Sequence, residues 1–178
     1  MKPFACVLGC SAMLVAAHEV HSAAAPADLH DLMKNVVAVQ TQVVWDIGNQ
    51  AQDDQGNPDA SKLAAADWTR IIDAATKVRQ ASQTLARADH VQAAAPGMKI
   101  EGEGNSGALG AKQVQALIDK DPAGFRAMSQ ALAGSMEQIG AAAKAKDAAK
   151  LFEVSGALDQ VCESCHMKFW YPEQKAAR

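Results

Sequence analysis

Three residues near the C-terminus have the types and the spacing that haem attachment requires. The run Cys162-Glu163-Ser164-Cys165-His166 has the pattern C-x-x-C-H, in which two thiols add to the vinyl groups along one edge of a haem and the histidine binds its iron. On a helix, positions i, i+3 and i+4 share one face. The run therefore predicts one covalent haem c held by Cys162 and Cys165, with His166 as the proximal iron ligand.

Two other uses of a C-x-x-C pair fit the rest of the chain poorly. A thioredoxin-like dithiol lies at a strand-to-helix turn in a βαβ unit, and this sequence has no such pattern. A four-thiolate zinc site needs a second pair of ligands. The only other cysteines, Cys6 and Cys10, lie in a segment that we expect the mature chain to lose.

The N-terminus resembles a secretory signal. Lys2 precedes an apolar stretch from Phe4 to Ala17, and small residues follow at positions 22–25. The apolar stretch is shorter than the roughly 20 residues that cross a bilayer. We therefore predict a cleavable signal peptide over residues 1–23, a mature domain over residues 24–178, secretion and no stable membrane insertion.

The composition and the apolar spacing predict helices as the elements that position the motif. The chain has 38 alanines and only 4% aromatic residues, which is unsuited to an all-β fold. Apolar residues recur at steps of three and four in four long stretches, with a short helix between the second and the third. The long stretches run from Asp28 to about Gln50, from Asp59 or Ser61 to Ala93–Ala95, from Asp121 to Lys146 and from Asp147 to Tyr171; the short helix covers Ala111–Asp119 and a loop covers Pro96–Gly110.

This pattern predicts an all-α, antiparallel four-helix bundle. Its small and flexible core side chains leave room for a flat cofactor between the helices. The net charge of -3 and the pI near 5.9 give no basic field for nucleic acid. We therefore expect no nucleic-acid partner.

The chain resembles the class II cytochromes c, the cytochrome c prime family, in having a lone C-x-x-C-H run near the end of a secreted helical chain. The segment CESCHMKFWYP over residues 162–172 is similar to the low-spin, six-coordinate branch. A basic residue is typical of the five-coordinate branch at the position of Trp170. The resemblance implies a haem between the first and last helices, a non-enzymatic periplasmic electron carrier with redox partner proteins, and a capacity to form homodimers.

The resemblance also implies a distal iron ligand. In the low-spin branch a methionine on the first helix binds the iron, and Met33 stands at the corresponding place; His30 is a weaker candidate, and packing in the core is the ordinary role of such a methionine. We expect Phe169 to pack on the haem, whereas Trp45 and Trp68 either line it or belong to the core. Two other functions stay open, a five-coordinate haem protein that binds NO or CO, and a haem-free helical interaction protein.

Overall fold

The computed structural model describes residues 26–105 and 107–172, and helices dominate this part of the chain. The predicted all-α class is confirmed, and the predicted signal peptide lies outside the described residues. The helical elements are α1 (Leu29–Leu32), a π-helical turn (Met33–Val37), α2 (Ala38–Gln50), a 3-10 turn (Ala60–Lys62), α3 (Ala65–Arg87), α4 (Ala111–Lys120), α5 (Pro122–Ala145) and α6 (Ala148–Phe169). Two short strands, β1 (Ala27–Asp28) and β2 (Val91–Gln92), form a parallel pair.

The first long helix consists of α1, the π-helical turn and α2 without a break. It begins at Asp28, whose Oδ1 accepts a hydrogen bond from the Asp31 amide at 3.0 Å. At the end of the π-helical turn, the Ala38 amide donates to the carbonyl of Met33, five residues earlier. The predicted single helix is confirmed, but apolar spacing did not reveal that it widens from Met33 onward.

The second long helix starts later than the candidate capping residues Asp59 and Ser61 suggest. Asp59 accepts a hydrogen bond from the Ser61 amide at 2.9 Å, but this bond caps the 3-10 turn. The regular helix α3 starts a few residues on, where the Asp67 carboxylate accepts the Ala64 amide at 3.0 Å. The start near Asp59 or Ser61 was therefore placed several residues too early.

The predicted end of that helix at Ala93–Ala95 is also wrong. The helix α3 ends at Arg87 because the chain then extends to pair with β1. Gln115 of α4 fixes the extended segment, since its side chain accepts from the Ala93 amide at 2.7 Å and donates to the Val91 carbonyl at 3.1 Å. A side chain that is distant in sequence thus decides where the helix ends.

The helices α5 and α6 form a hairpin whose capping residues were readable from the sequence. Asp121 Oδ1 accepts from the Gly124 amide at 2.8 Å, and Pro122 takes the first helical position. The chain turns at Lys146, which adopts the left-handed conformation with φ of 52°. Asp147 then caps α6 by accepting from the Lys150 amide at 2.9 Å.

Successive long helices run in opposite directions. One cluster of buried and half-buried side chains joins Leu29 at the start of α1, Leu85 near the end of α3, Phe125 near the start of α5 and Phe169 at the end of α6. Such a cluster requires up-down-up-down order, so the antiparallel bundle is confirmed. None of the helices in the described part is both long and apolar enough to span a bilayer.

The main core fills the other half of the bundle. Its fully buried side chains come from all four long helices and include Val44, Ile47, Ile71, Val78, Ile139 and Leu158. Burying an aliphatic side chain of this size stabilises a fold by roughly 1.5–3 kcal/mol. The main core therefore contributes much of the stability of the bundle. The site lies at the end of the bundle that contains the cluster of Leu29 and Phe169.

Candidate functional site

A cavity of about 540 Å³ opens among the four long helices near the end of α6. This volume lies within the roughly 300–1,000 Å³ of typical ligand pockets, and apolar side chains form most of the wall. Both the first long helix and α6 contribute residues to the wall. The chemistry-bearing residues of the wall are His30, Met33, Lys34, Thr41, Cys162, Cys165 and His166.

The motif lies on the last turns of α6, and its three functional residues all line the cavity. Cys162 and Cys165 are free, half-buried thiols, and His166 is half-buried beside them. The helix brings them to one face as the spacing predicted. The two thiols and the imidazole can therefore meet one flat group in the cavity.

The environment favours the neutral form of all three groups. Burial, with a contribution from Asp159, raises the pKa of the Cys162 thiol. Burial and the neighbouring Cys162 raise the pKa of Cys165 to about 11, against the opposing charge of Lys168. Burial lowers the pKa of His166, so its imidazole keeps a free lone pair of the kind that binds a metal ion.

Aromatic rings enclose His166 from the C-terminal side. The Trp170 ring meets the imidazole edge-on, with centroids 5.1 Å apart, and Tyr171 stacks on Trp170 with centroids 4.5 Å apart. The Trp170 and Tyr171 amides both donate to the His166 carbonyl, at 2.8 and 2.7 Å. Burial and Glu101 raise the pKa of the Tyr171 phenol. The imidazole of His166 therefore packs against aromatic rings, and hydrogen bonds fix the backbone next to it.

Met33 lines the same cavity as the motif, from the first long helix. Its side chain is half-buried and packs against the same cluster as Cys165 and Phe169, and His30, one turn earlier, also lines the cavity. Phe169 is buried, lines the cavity and meets Phe125 edge to face with centroids 5.4 Å apart. The structure thus brings together every residue that the sequence analysis assigned to a haem site.

Two residues that line the cavity each have a buried, unpaired polar atom, which suits a ligand with polar groups. Thr41 Oγ1 and Trp170 Nε1 are shielded from solvent and have no hydrogen-bond partner among the described residues. By contrast, the hydroxyls of Ser82 and Ser129, which also line the cavity, donate hydrogen bonds to carbonyls of their own helices at 2.8 and 3.0 Å. An apolar cavity with two thiols, an imidazole and unpaired donors fits a haem, which is a flat apolar ring with carboxylates at one edge.

The sequence left two positions open for Trp45 and Trp68, and the structure separates them: Trp45 lines the cavity, whereas Trp68 is buried in the main core. Other lining residues of the cavity were not predicted. Met128 of α5 and Glu101 of the long loop also line it; a second methionine on an apolar stripe and an acid in a loop carry no signal that marks them as cavity residues. Their position depends on how distant elements pack.

The fold and the site together define a helical bundle with a cavity that fits a haem. The model of the cytochrome c′ family matches residues 63–170, which is more than half of the chain and includes the whole C-x-x-C-H run. The chain therefore belongs to the cytochrome c′ family. No curated protein and no solved structure is significantly similar to it. The matched range begins after Met33, so the family match carries no information on the distal ligand.

Proposed function

We propose that the protein is a periplasmic carrier of single electrons whose haem iron is bound by His166 and Met33. The observation that carries the proposal is that Met33 lines the same cavity as His166 and packs against the same cluster as Cys165. When bound, the haem supplies an iron that alternates between the ferric and ferrous states. The chain acts by holding that group and by excluding water, without bond-making on a substrate.

Each site residue has a separate task in this proposal. Cys162 and Cys165 fix the haem to α6, and His166 offers its neutral imidazole from the same helix face. Met33 offers a thioether from the first long helix, and a thioether opposite an imidazole raises the reduction potential of a haem. Phe169 packs beside the ring and keeps water from this side of the cavity.

The compartment and the partners are part of the same proposal. Export through the signal peptide at residues 1–23 fits the chemistry, because covalent attachment of this kind occurs after export. The expected partners are other redox proteins of the periplasm. The mass of the purified mature chain tests export, since cleavage near Ala23 removes the signal segment; an intact N-terminus would contradict it.

Optical spectra test the axial ligands. We expect the ferric and ferrous protein to be low-spin and indifferent to carbon monoxide, and the Met33→Leu variant to be high-spin and to bind carbon monoxide. Met128→Leu is the matched control, because Met128 lines the same cavity from α5, and it should keep the wild-type spectrum. His30→Ala tests the weaker candidate. A Met33→Leu protein that stays low-spin would refute ligation by Met33.

One observation favours a second function, a five-coordinate haem that binds NO or CO. Most of the cavity wall is apolar and includes Val37, Met128 and Leu132, and an apolar cavity suits a neutral diatomic gas. In that case the wild-type spectrum is high-spin and shifts with carbon monoxide, and Met33 only packs in the core.

A further inference from the structure

The cavity opens to solvent between the first long helix and α6. Ala38 and Gln42 of α2 are exposed and line the cavity. On α6, which is in contact with α2, the half-buried Val161 and Cys162 line it as well. Side chains that are exposed and also belong to the wall mark the place where a cavity meets solvent. We call these four residues the α2–α6 opening.

Cys162 and Ala38 lie at similar distances from the same end of the bundle. Leu29 and Phe169 share one cluster at that end. Ala38 lies roughly two turns after Leu29, and Cys162 lies roughly two turns before Phe169. A thioether at Cys162 holds one edge of a haem at this side chain, so that edge reaches the protein surface at the opening. Because electron transfer slows steeply with distance, the opening gives a short route between the haem and another protein.

Acidic side chains flank the opening on both helices. On α2, Gln42 donates a hydrogen bond to Asp46 Oδ1 at 2.7 Å, which fixes the exposed Asp46 carboxylate one turn from Gln42. On α6, Asp159 is exposed one turn before Cys162 and contributes to the raised pKa of the Cys162 thiol. A carboxylate acts on a thiol in this way only from nearby, so Asp159 lies at the opening.

Two cations near the motif do not cancel these charges. Lys34 also lines the cavity, one turn before Ala38, but the exposed Asp31 lies one turn before Lys34 on the same helix. Lys168 forms its ion pair with Asp121. The opening therefore has an apolar centre between acidic side chains, with a net negative charge around it.

We propose that the α2–α6 opening docks a redox protein with a basic surface, and that single electrons pass between the two proteins there; this extends the electron-carrier function proposed above and rests on it. Ferrous iron loses one electron and becomes ferric, and the cofactor of the partner gains that electron. Lysine and arginine side chains of the partner pair with the acids around the opening, and such charges speed the encounter of two proteins. A second copy of this chain would place acidic side chains against acidic ones, so it fits the surface poorly.

Two one-electron oxidants of opposite charge test the sign of this surface. Ferrous holoprotein with verified covalent haem is mixed with tris(phenanthroline)cobalt(III), a cation, or with ferricyanide, an anion. Each oxidant removes one electron from the iron, so cobalt(III) becomes cobalt(II) and ferricyanide becomes ferrocyanide. The ratio of the cation rate constant to the anion rate constant is compared between variants, because a change in the haem potential alters both rates in the same direction.

Loss of either acid at the opening should reduce the preference for the cation. Asp46→Asn and Asp159→Asn should each lower the ratio by about twofold or more at low ionic strength, and the effect should shrink as salt is added. Asp73→Asn is the matched control, because it removes the same charge from an exposed position where α3 covers the main core, and it should change the ratio less. Equal effects of the three variants would show that only the net charge matters and would overturn the proposal.

A short lysine peptide stands in for the basic partner in a measurement on the unmodified holoprotein. In the ferrous state, with carbon monoxide bound if the iron is open, the peptide should shift the amide resonances of Gln42 and Asp159 and leave those around Asp73 unchanged. Shifts confined to other surfaces would overturn the proposal, as would a homodimer in sedimentation that slows both oxidants alike, because a second copy would then cover the opening. A high-spin spectrum refutes ligation by Met33 but leaves the rate and peptide comparisons valid, so the failures of the two proposals are distinguishable.

Discussion

Lys168 on α6 forms an ion pair with Asp121 at the N-terminus of α5, although the two residues are 47 positions apart. The same Asp121 carboxylate also accepts the Gly124 amide at 2.8 Å. Lys168 is two residues beyond His166, so the pair ties the end of α6 that carries the motif to the start of α5. A lysine that the sequence leaves as an ordinary surface charge is thus part of a contact between helices.

The ionisation of Asp121 should make the stability of the fold depend on pH. The hydrogen bond with Lys168, followed by that with Gly124, lowers the pKa of the Asp121 carboxyl. A folded-state pKa below the unfolded one stabilises the fold above the unfolded pKa, and this contribution is lost as the pH falls through the folded pKa. We expect Asp121→Asn, which keeps a cap acceptor, to lower the melting temperature at about pH 7 and to approach the wild type at about pH 3.

Two further variants separate the cap from the ion pair. Asp121→Ala removes both contacts and should melt below Asp121→Asn at neutral pH. Asp73→Asn changes an exposed aspartate on α3 and serves as the control for loss of charge alone. If the difference between Asp121→Asn and the wild type stayed constant from neutral to acid pH, the ion pair would have no role in stability.

The absence of a side chain at Gly124 leaves the space that the ion pair between Asp121 and Lys168 occupies. A Cβ added at Gly124 would lie 2.8 Å from Asp121 Cγ and also meet the Lys168 amino group, whereas a Cβ at Gly134 in the same helix meets nothing within 4 Å. Gly134→Ala should therefore stabilise the protein by about 1 kcal/mol through helix propensity, and Gly124→Ala should destabilise it. Thermal unfolding of the two variants gives the comparison. Equal stabilisation by both would show that the contact adapts without cost.

The helices could be predicted because their signals are local. Apolar spacing and the caps at Asp121 and Asp147 lie within a few residues of the helix ends that they define. The motif on α6 could be predicted for the same reason, since the spacing of Cys162, Cys165 and His166 already decides the face they share. Both the bundle and the proximal half of the site follow from such short-range patterns.

The features that escaped prediction depend on distant packing. The helix α3 ends early because Gln115, on another element, fixes the segment after it. The Trp170 carbonyl accepts a hydrogen bond from the Leu109 amide of the long loop, about 60 residues earlier in the chain. The first long helix widens into a π-helical turn at Met33, and the residue types there did not indicate this change. No local pattern encodes these contacts.

Leu158 should be a major contributor to the stability of α6. It is fully buried in the main core with Val154 and Leu151, so Leu158→Ala removes apolar contacts and leaves a cavity. Such a change costs about 2–5 kcal/mol, measured by denaturant unfolding. Phe152→Ala is the control, because Phe152 is 50% exposed on the same helix and should change stability by about 0.5 kcal/mol or less. Similar losses in the two variants would contradict the assignment of the core.

Replacing both motif cysteines should remove covalent haem while the helix persists. Cys162→Ala with Cys165→Ala deletes the two thiols that line the cavity, and alanine is the best helix former, so α6 should keep its length. After coexpression with haem-attachment machinery, acid-acetone extraction should free any haem from this variant and none from the wild type. Ser164→Ala is the control, because Ser164 is exposed between the cysteines and bonds only its own helix, at 2.6 Å to the Gln160 carbonyl; it should retain haem. Haem that resisted extraction from the double variant would mean that another residue attaches it, and the site described around Cys162 and Cys165 would be wrong.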